Sequence, residues 1–198
     1  LVRYDKGHRD KTRRHILEVA SAQFRESGIA AVGLAGIMSE AGLTNGAFYM
    51  HFASKEELVR EVLLDALSRR EQRHKDNLEN GIALETAIRD YLSPRHRDRA
   101  GTGCPTAALV AEVARHPKTT RDAFTAKISD IIALMAEQIR QGSPDERRRS
   151  AIAIYATMVG ALQLSRAVND MRLSEEILQD AVDTAINLAG PKRATGID

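Results

Sequence analysis

Residues 34–58 read LAGIMSEAGLTNGAFYMHFASKEEL, and the fold turns on how this stretch is parsed. Leu34, Ile37, Met38 and Ala41 recur at helical spacing and form the apolar face of a short helix. Gly42 stops that helix, because glycine takes the left-handed terminal conformation without a Cβ penalty. Leu43 is an apolar turn residue placed to pin two helices to a core, and Thr44 is expected to N-cap the second with its hydroxyl. On that second helix Phe48 and Phe52 lie four apart and face inward together. Asn45, Gly46, Ala47 and Tyr49 are left outside, with Met50 beside them. Small residues at 46 and 47 let a helix come close to base edges, and Tyr49 offers a phenol to a phosphate oxygen. Ser54-Lys55-Glu56-Glu57 spells a capping box that starts the next helix sharply. The pattern is that of a helix-turn-helix whose second helix enters a DNA major groove. Periodicity alone fits two helices of an ordinary all-α core equally well.

A longer signature separates these readings. It runs from Thr12-Arg13-Arg14-His15-Ile16-Leu17-Glu18-Val19-Ala20 through Phe24 and Gly28 to Ala41-Gly42-Leu43-Thr44, Gly46-Ala47-Phe48-Tyr49, His51-Phe52 and Ser54-Lys55-Glu56-Glu57-Leu58. This stretch of some fifty residues resembles the TetR family of bacterial transcriptional repressors. One departure is Gly33, where the family usually places Ser or Thr to cap the first helix of the motif. Glycine is tolerated as a cap at a cost of a few tenths of a kcal/mol. The resemblance implies an all-α, nine-helix fold, with an N-terminal helix-turn-helix and a C-terminal ligand-binding and dimerisation domain. It also implies a double-stranded DNA operator as partner, and Thr44, Asn45, Gly46, Ala47, Tyr49, His51 and Lys55 are the expected DNA-binding residues.

Charge distribution agrees. Residues 1–14 hold Arg3, Lys6, Arg9, Lys11, Arg13 and Arg14 against Asp5 and Asp10, a balance of +4, so the remaining 184 of the 198 residues sum to −2 for the net +2. A basic arm beside the motif suits phosphate neutralisation, although a solvated tail has the same composition. A single cysteine rules out an internal disulfide framework and suits a reducing cytoplasm. No signal peptide is apparent, and the longest apolar-rich run, residues 151–164, is too short to span a membrane.

The first helix is expected over residues 10–27, and a fourth begins after Ser54 and frays in the polar stretch 69–80. A fifth spans 82–92 and is followed by an Arg-rich loop over 95–99. A sixth starts after Cys104-Pro105, a seventh follows Pro117, and an eighth starts at the Ser143-Pro144-Glu146 capping box and continues to about Asn169. The ninth is expected to be capped by Ser174, and the tail after Pro191 to be disordered. Helix eight is apolar on nearly every face and must be covered on all sides. Together with the small-residue stripe Leu178, Ala181, Val182, Ala185 and Ala189 of helix nine, it suggests a four-helix homodimer interface, which the resemblance also implies.

No phosphate-binding loop, nucleophile elbow or zinc-protease motif is present, and the six histidines lack metal-ligand spacing. The chain is therefore read as a non-enzyme, without cofactor, metal or membrane partner. Within the family, helices four to eight enclose a small-molecule effector whose binding shifts the DNA-reading heads, and here a small apolar effector is expected to release the DNA. The candidates here are Leu63, Leu67, Tyr91, Leu109, Val113, Phe124, Ile128, Met135, Tyr155, Met158 and Leu162, although aliphatic stripes at helical spacing are usually core. Cys104, at a helix start near Arg95, Arg97 and Arg99, resembles family members that sense oxidants or electrophiles through a thiol; the competing reading is a small buried residue. The domains are accordingly 1–55 for DNA binding and 56–198 for effector binding and dimerisation. A small-molecule-binding protein without DNA binding is the alternative from another class.

Overall fold

A computed structural model of the chain describes residues 6–190. Among them every regular element is helical: α1 (Lys6–Ser27), α2 (Leu34–Glu40), α3 (Asn45–Phe48), α4 (Lys55–Glu79), α5 (Leu84–Tyr91), α6 (Pro94–Arg97), a 3-10 turn (Ala100–Thr102), α7 (Pro105–Val113), α8 (Lys118–Gln138), α9 (Pro144–Ala167) and α10 (Met171–Ala189). The all-α expectation holds, but ten α-helices stand where nine were expected. The additional one is α6, in the Arg-rich segment read as a loop. There the Ser93 hydroxyl accepts from His96 N–H and Pro94 occupies the first helical position, so a cap and a pre-set φ together form one turn. Arg3, Asp5 and the tail from Pro191 lie outside the described residues.

Other boundaries differ for local reasons. α1 starts at Lys6 rather than Asp10, so Arg9 joins Lys11, Arg13 and Arg14 on the helix. α4 does not fray. The i,i+4 pairs Asp65–Arg69, Glu71–Lys75 and Gln72–Asp76 bind its polar turns together, and the Asn80 amide donates to the Asp76 carbonyl at 2.7 Å. α9 ends at Ala167, short of Asn169. α10 starts earlier than expected because Asp170, not Ser174, is its cap, accepting from Arg172 and Leu173 N–H. Ser174 sits a turn further in, buried, accepting from Arg97 Nη1 at 3.0 Å and donating to the Ser165 carbonyl at 2.6 Å. The Ser143–Glu146 capping box forms in both directions.

The chain separates into two compact units, and the division falls inside α4 and α8. The first unit holds residues to Arg69 together with Ala100–Lys127, and the second holds Arg70–Arg99 and the chain from Ile128. In the first, α1 packs against α2, α7 and the 3-10 turn, and α2 against α3. Its core gathers Ile16, Ala20 and Phe24 of α1, Ile37 and Met38 of α2, Phe48 and Phe52, Leu58, Val59, Val62 and Leu63 of α4, and Leu109 and Val113 of α7. In the second unit α9 and α10 pack along one another, α5 rests on α10 and α6 on α9. The stripe Leu178, Ala181, Val182 and Ala185 of α10 is buried, as are Ile154, Tyr155, Met158 and Leu162 of α9. Ile152 and Leu164 of α9 remain exposed, Leu164 by 58%.

Candidate functional site

The turn of the motif is a Schellman ending. Gly42 has φ +69°, its N–H reaches the Ser39 carbonyl at 3.0 Å, and Leu43 N–H reaches the Met38 carbonyl at 2.8 Å. Leu43 packs against the core of the first unit, as its apolar character requires. Thr44 occupies the N-cap of α3 in extended backbone, but its hydroxyl makes no capping hydrogen bond, contrary to the expectation. Only its carbonyl joins the helix, accepting from Ala47 N–H at 3.0 Å.

α3 is a short helix held by aromatics. Phe48 and Phe52 are buried and stacked with ring centroids 5.6 Å apart, and the Arg13 guanidinium covers the Phe52 ring at 4.7 Å while pairing with Glu61 at 2.5 Å. Thr44, Asn45 and Gly46 are exposed, Ala47 is half-buried, and Tyr49 and Met50 stand out at 70% and 62% exposure. Two large side chains thus stand in water beside small ones. His51 is half-buried, and burial, then Arg9 and Arg13, push its pKa down. Lys55 turns inward, its ammonium donating to the Ile29 carbonyl at 2.8 Å. At the Ser54 box, Glu57 N–H donates to Ser54 Oγ at 3.1 Å, and the Glu57 carboxylate accepts from Ala53 N–H rather than from Ser54 N–H.

Three contacts that the sequence did not signal hold this surface. Arg9 Nη2 donates to the Met50 carbonyl at 2.7 Å, which ties α1 to the end of the reading segment. Glu112 of α7 accepts from Ile29 N–H at 3.0 Å and Ala30 N–H at 2.8 Å, in the turn between α1 and α2. A Cβ at Gly28 (φ +84°) would lie 2.8 Å from the same carboxylate. Glu56, near the start of α4, accepts from Thr120 Oγ1 at 2.6 Å and from His116 Nδ1 at 2.9 Å. Burial pushes the Glu56 carboxyl up, but the Thr120 and His116 hydrogen bonds and the His116 and Arg60 charges outweigh it, and the net direction is down.

Residues 16–62 match the model of bacterial regulatory proteins of the tetR family, and residues 83–181, half of the chain, match that of the tetracyclin repressor-like C-terminal domain. The chain belongs to the TetR family. Among curated relatives, the HTH-type transcriptional regulator TtgR of Pseudomonas putida is 45% identical over 67 residues, covering 34% of this chain and 31% of TtgR. The transcriptional repressor KstR2 of Mycobacterium tuberculosis is 40% identical over 70 residues, or 35% of each chain. The transcriptional activator FasR of Mycolicibacterium smegmatis is 38% identical over 92 residues, 46% of this chain and 37% of FasR. The matched segment thus spans about a third of the length of these relatives. The TetR fold extends further: the reduced form of E. coli NemR superposes with a TM-score of 0.74 at 24% identity, covering 89% of this chain and 96% of NemR. A TetR regulator from Legionella pneumophila gives 0.73 at 17% identity, over 93% and 99%. The helix-turn-helix lies within the segment that matches the tetR family model.

The eleven residues expected around an effector divide between the two units. Leu63, Leu109 and Val113 belong to the core beneath the helix-turn-helix, Phe124 packs against it, and Leu67 is buried in the same unit. Tyr91, Met135, Tyr155, Met158 and Leu162 are buried in the second unit, and Ile128 there is half-buried. A cavity of about 280 Å³ in the second unit is lined by Arg97, Asp98, Ser165, Arg166, Val168, Asn169, Met171 and Ser174, and by none of the eleven. Its polar groups bind one another: Arg97 Nε donates to Asp98 at 2.7 Å, and Arg166 donates to the Arg97 and His96 carbonyls. Cys104 is fully buried at the N-cap of α7, in the first unit, and the cation acting beside it is Arg25. Among the described residues no helix is long and apolar enough to cross a membrane, and no His, Cys, Asp and Glu group could hold a metal ion.

Proposed function

We propose that this TetR-family chain is a ligand-responsive transcriptional repressor of the cytoplasm, which binds a palindromic operator as a homodimer and is released by a small apolar effector. The observation that carries the reading is the face of α3, where exposed Asn45, Gly46 and Tyr49 stand together on a helix locked from behind by Phe48 and Phe52. Thr44, Tyr49, His51 and Lys55 are assigned to the phosphate backbone, and Asn45, Gly46 and Ala47 to base edges. Lys55 keeps further N–H donors besides the one given to Ile29. DNA binding is assigned to residues 1–55, braced by α7, and effector binding and dimerisation to residues 56–198. Exposed Ile152 and Leu164 on α9 support an interface there, since these aliphatics gain by being covered. Within the second unit, Tyr91, Ile128, Met135, Tyr155, Met158 and Leu162 are the residues left to line an effector site. The burial of Cys104 supports a structural thiol and a non-covalent ligand as the signal, so Cys104→Ser is expected to leave the effector response intact.

A gel shift against the upstream region of the encoding gene, at two salt concentrations, tests the core of this reading. Sequence-preferring binding that weakens steeply with salt is expected. Absence of a shift at any salt would instead favour a small-molecule-binding protein that does not read DNA.

A further inference from the structure

α3 and the residues behind it have little means of holding themselves in place. The helix is four residues long, far short of the length at which a helix is stable alone in water. Beyond it the backbone closes through tight turns: Met50 N–H reaches the Ala47 carbonyl at 3.2 Å, and His51 and Phe52 N–H reach the Phe48 carbonyl at 2.9 and 3.0 Å. Phe48 and Phe52 anchor this segment in the core, but Tyr49 and Met50 between them stand in water. Those two side chains do not fix the backbone that carries them.

Two arginines of α1 reach that backbone from outside. Arg9 and Arg13 lie four apart, on one face of their helix. Arg9 Nη2 donates to the Met50 carbonyl at 2.7 Å, while Arg13 covers the Phe52 ring and pairs with Glu61 of α4. Both charges also act on the half-buried His51 between these contacts, so positions 50, 51 and 52 all meet the same two cations. A guanidinium suits the trailing end of a helix, where carbonyls lack helical partners and the backbone dipole is negative. In sequence Arg9 reads as one more cation for phosphate. In the structure it is turned onto the protein's own backbone.

We infer that Arg9 is a positioning residue for operator reading: its bond to Met50, with Arg13 on Phe52 beside it, sets the angle at which Asn45, Gly46 and Ala47 meet base edges. This rests on the assignment of those three residues to base edges above. A base contact needs donors and acceptors in fixed geometry, whereas phosphate attraction is long in range and tolerates displacement. Loss of the tie therefore costs preferred-sequence binding more than binding to DNA at large. An arginine that contacts phosphate leaves a different mark. It strengthens every sequence alike and adds about 0.9 to the salt slope for each phosphate neutralised.

The test is Arg9→Gln in the full chain, a change at an exposed position that leaves the core intact. Fluorescence anisotropy over a range of salt compares variant and parent on a duplex of the upstream region and on a scrambled duplex of equal length. Affinity for the upstream duplex is expected to fall about tenfold, with that for the scrambled duplex within about twofold and the salt slope unchanged. Equal losses on both duplexes, with a slope smaller by about 0.9 per subunit, would make Arg9 a phosphate contact and overturn the inference. A variant that binds both duplexes as its parent does would overturn it too. Hydrogen exchange on the DNA-free chain gives a second reading. Amides 50–53 should exchange about fivefold faster in the variant while those of α2 keep the parental rate. Unchanged exchange at 50–53 refutes the tie whether or not the parent binds DNA, and faster exchange throughout the first unit would make Arg9 a general stabiliser instead. Failure of the parent to shift the upstream duplex counts against the regulator reading alone.

Discussion

Glu112→Ala is expected to loosen the DNA-reading head without touching DNA. The carboxylate holds the turn between α1 and α2 by two charge-assisted hydrogen bonds, at 3.0 Å to Ile29 N–H and 2.8 Å to Ala30 N–H. A hydrogen bond to a charged acceptor contributes about 1.5–3 kcal/mol. One of this pair is part-buried and the other exposed, so their joint loss is about 2–3 kcal/mol, not twice the upper figure. For a chain of this size each kcal/mol moves Tm by about 2–4 °C, so Tm should fall by roughly 4–12 °C. Glu112→Gln keeps one oxygen acceptor but turns an amide donor toward the second N–H, and should lose about half as much. Because the freed turn leads directly into α2, operator affinity should fall for all sequences alike, without a change in base preference. Thermal denaturation of the three proteins, followed by gel shifts on matched and mismatched operators, reads both effects. A Glu112→Ala protein melting within 1 °C of its parent would refute the brace.

Burial holds the His74 pKa at about 4 against 6.5 for the free side chain, so the unfolded chain takes up the proton first. The cost is absent above pH 6.5 and grows as pH falls toward 4, to about 3 kcal/mol at most; denaturant titrations across this range should show a flatter pH slope in His74→Gln, and an equal slope would contradict the assignment. Leu164→Glu, on the exposed side of α9, should give folded monomers by sedimentation that fail to bind operator, whereas a charge at buried Ala185 would disrupt the unit itself; a Leu164→Glu dimer would move the interface elsewhere. Tyr49→Phe should weaken binding to every sequence about equally, while Asn45→Ala should shift base preference by roughly 1–3 kcal/mol at one position per half-site. A selection experiment showing unchanged preference in Asn45→Ala would place the reading face elsewhere.

The turn at Gly42, the capping box at Ser143 and the inward pair Phe48 and Phe52 were legible because each is decided within a few residues of chain. The limits of that legibility are also physical. Thr44 reaches the N-cap position, but position alone does not aim its hydroxyl. The cap of α10 went to Asp170 because Ser174 is drawn inward by Arg97, a partner 77 residues away. Glu112 gives no signal at all, since its partners are backbone groups 82 and 83 residues distant. Leu63, Leu109 and Val113 mark a deeper ambiguity. Helical spacing states that a side chain is buried and leaves open whether protein or ligand covers it, because both remove the same apolar surface from water. Polar residues resolve that ambiguity better. An aliphatic is content in either environment, whereas a buried imidazole such as His74 asks for a hydrogen-bond partner wherever it lies. Its neighbourhood in sequence, RREQRHKD over residues 69–76, reads as a solvated face, and only packing turns one histidine of it inward.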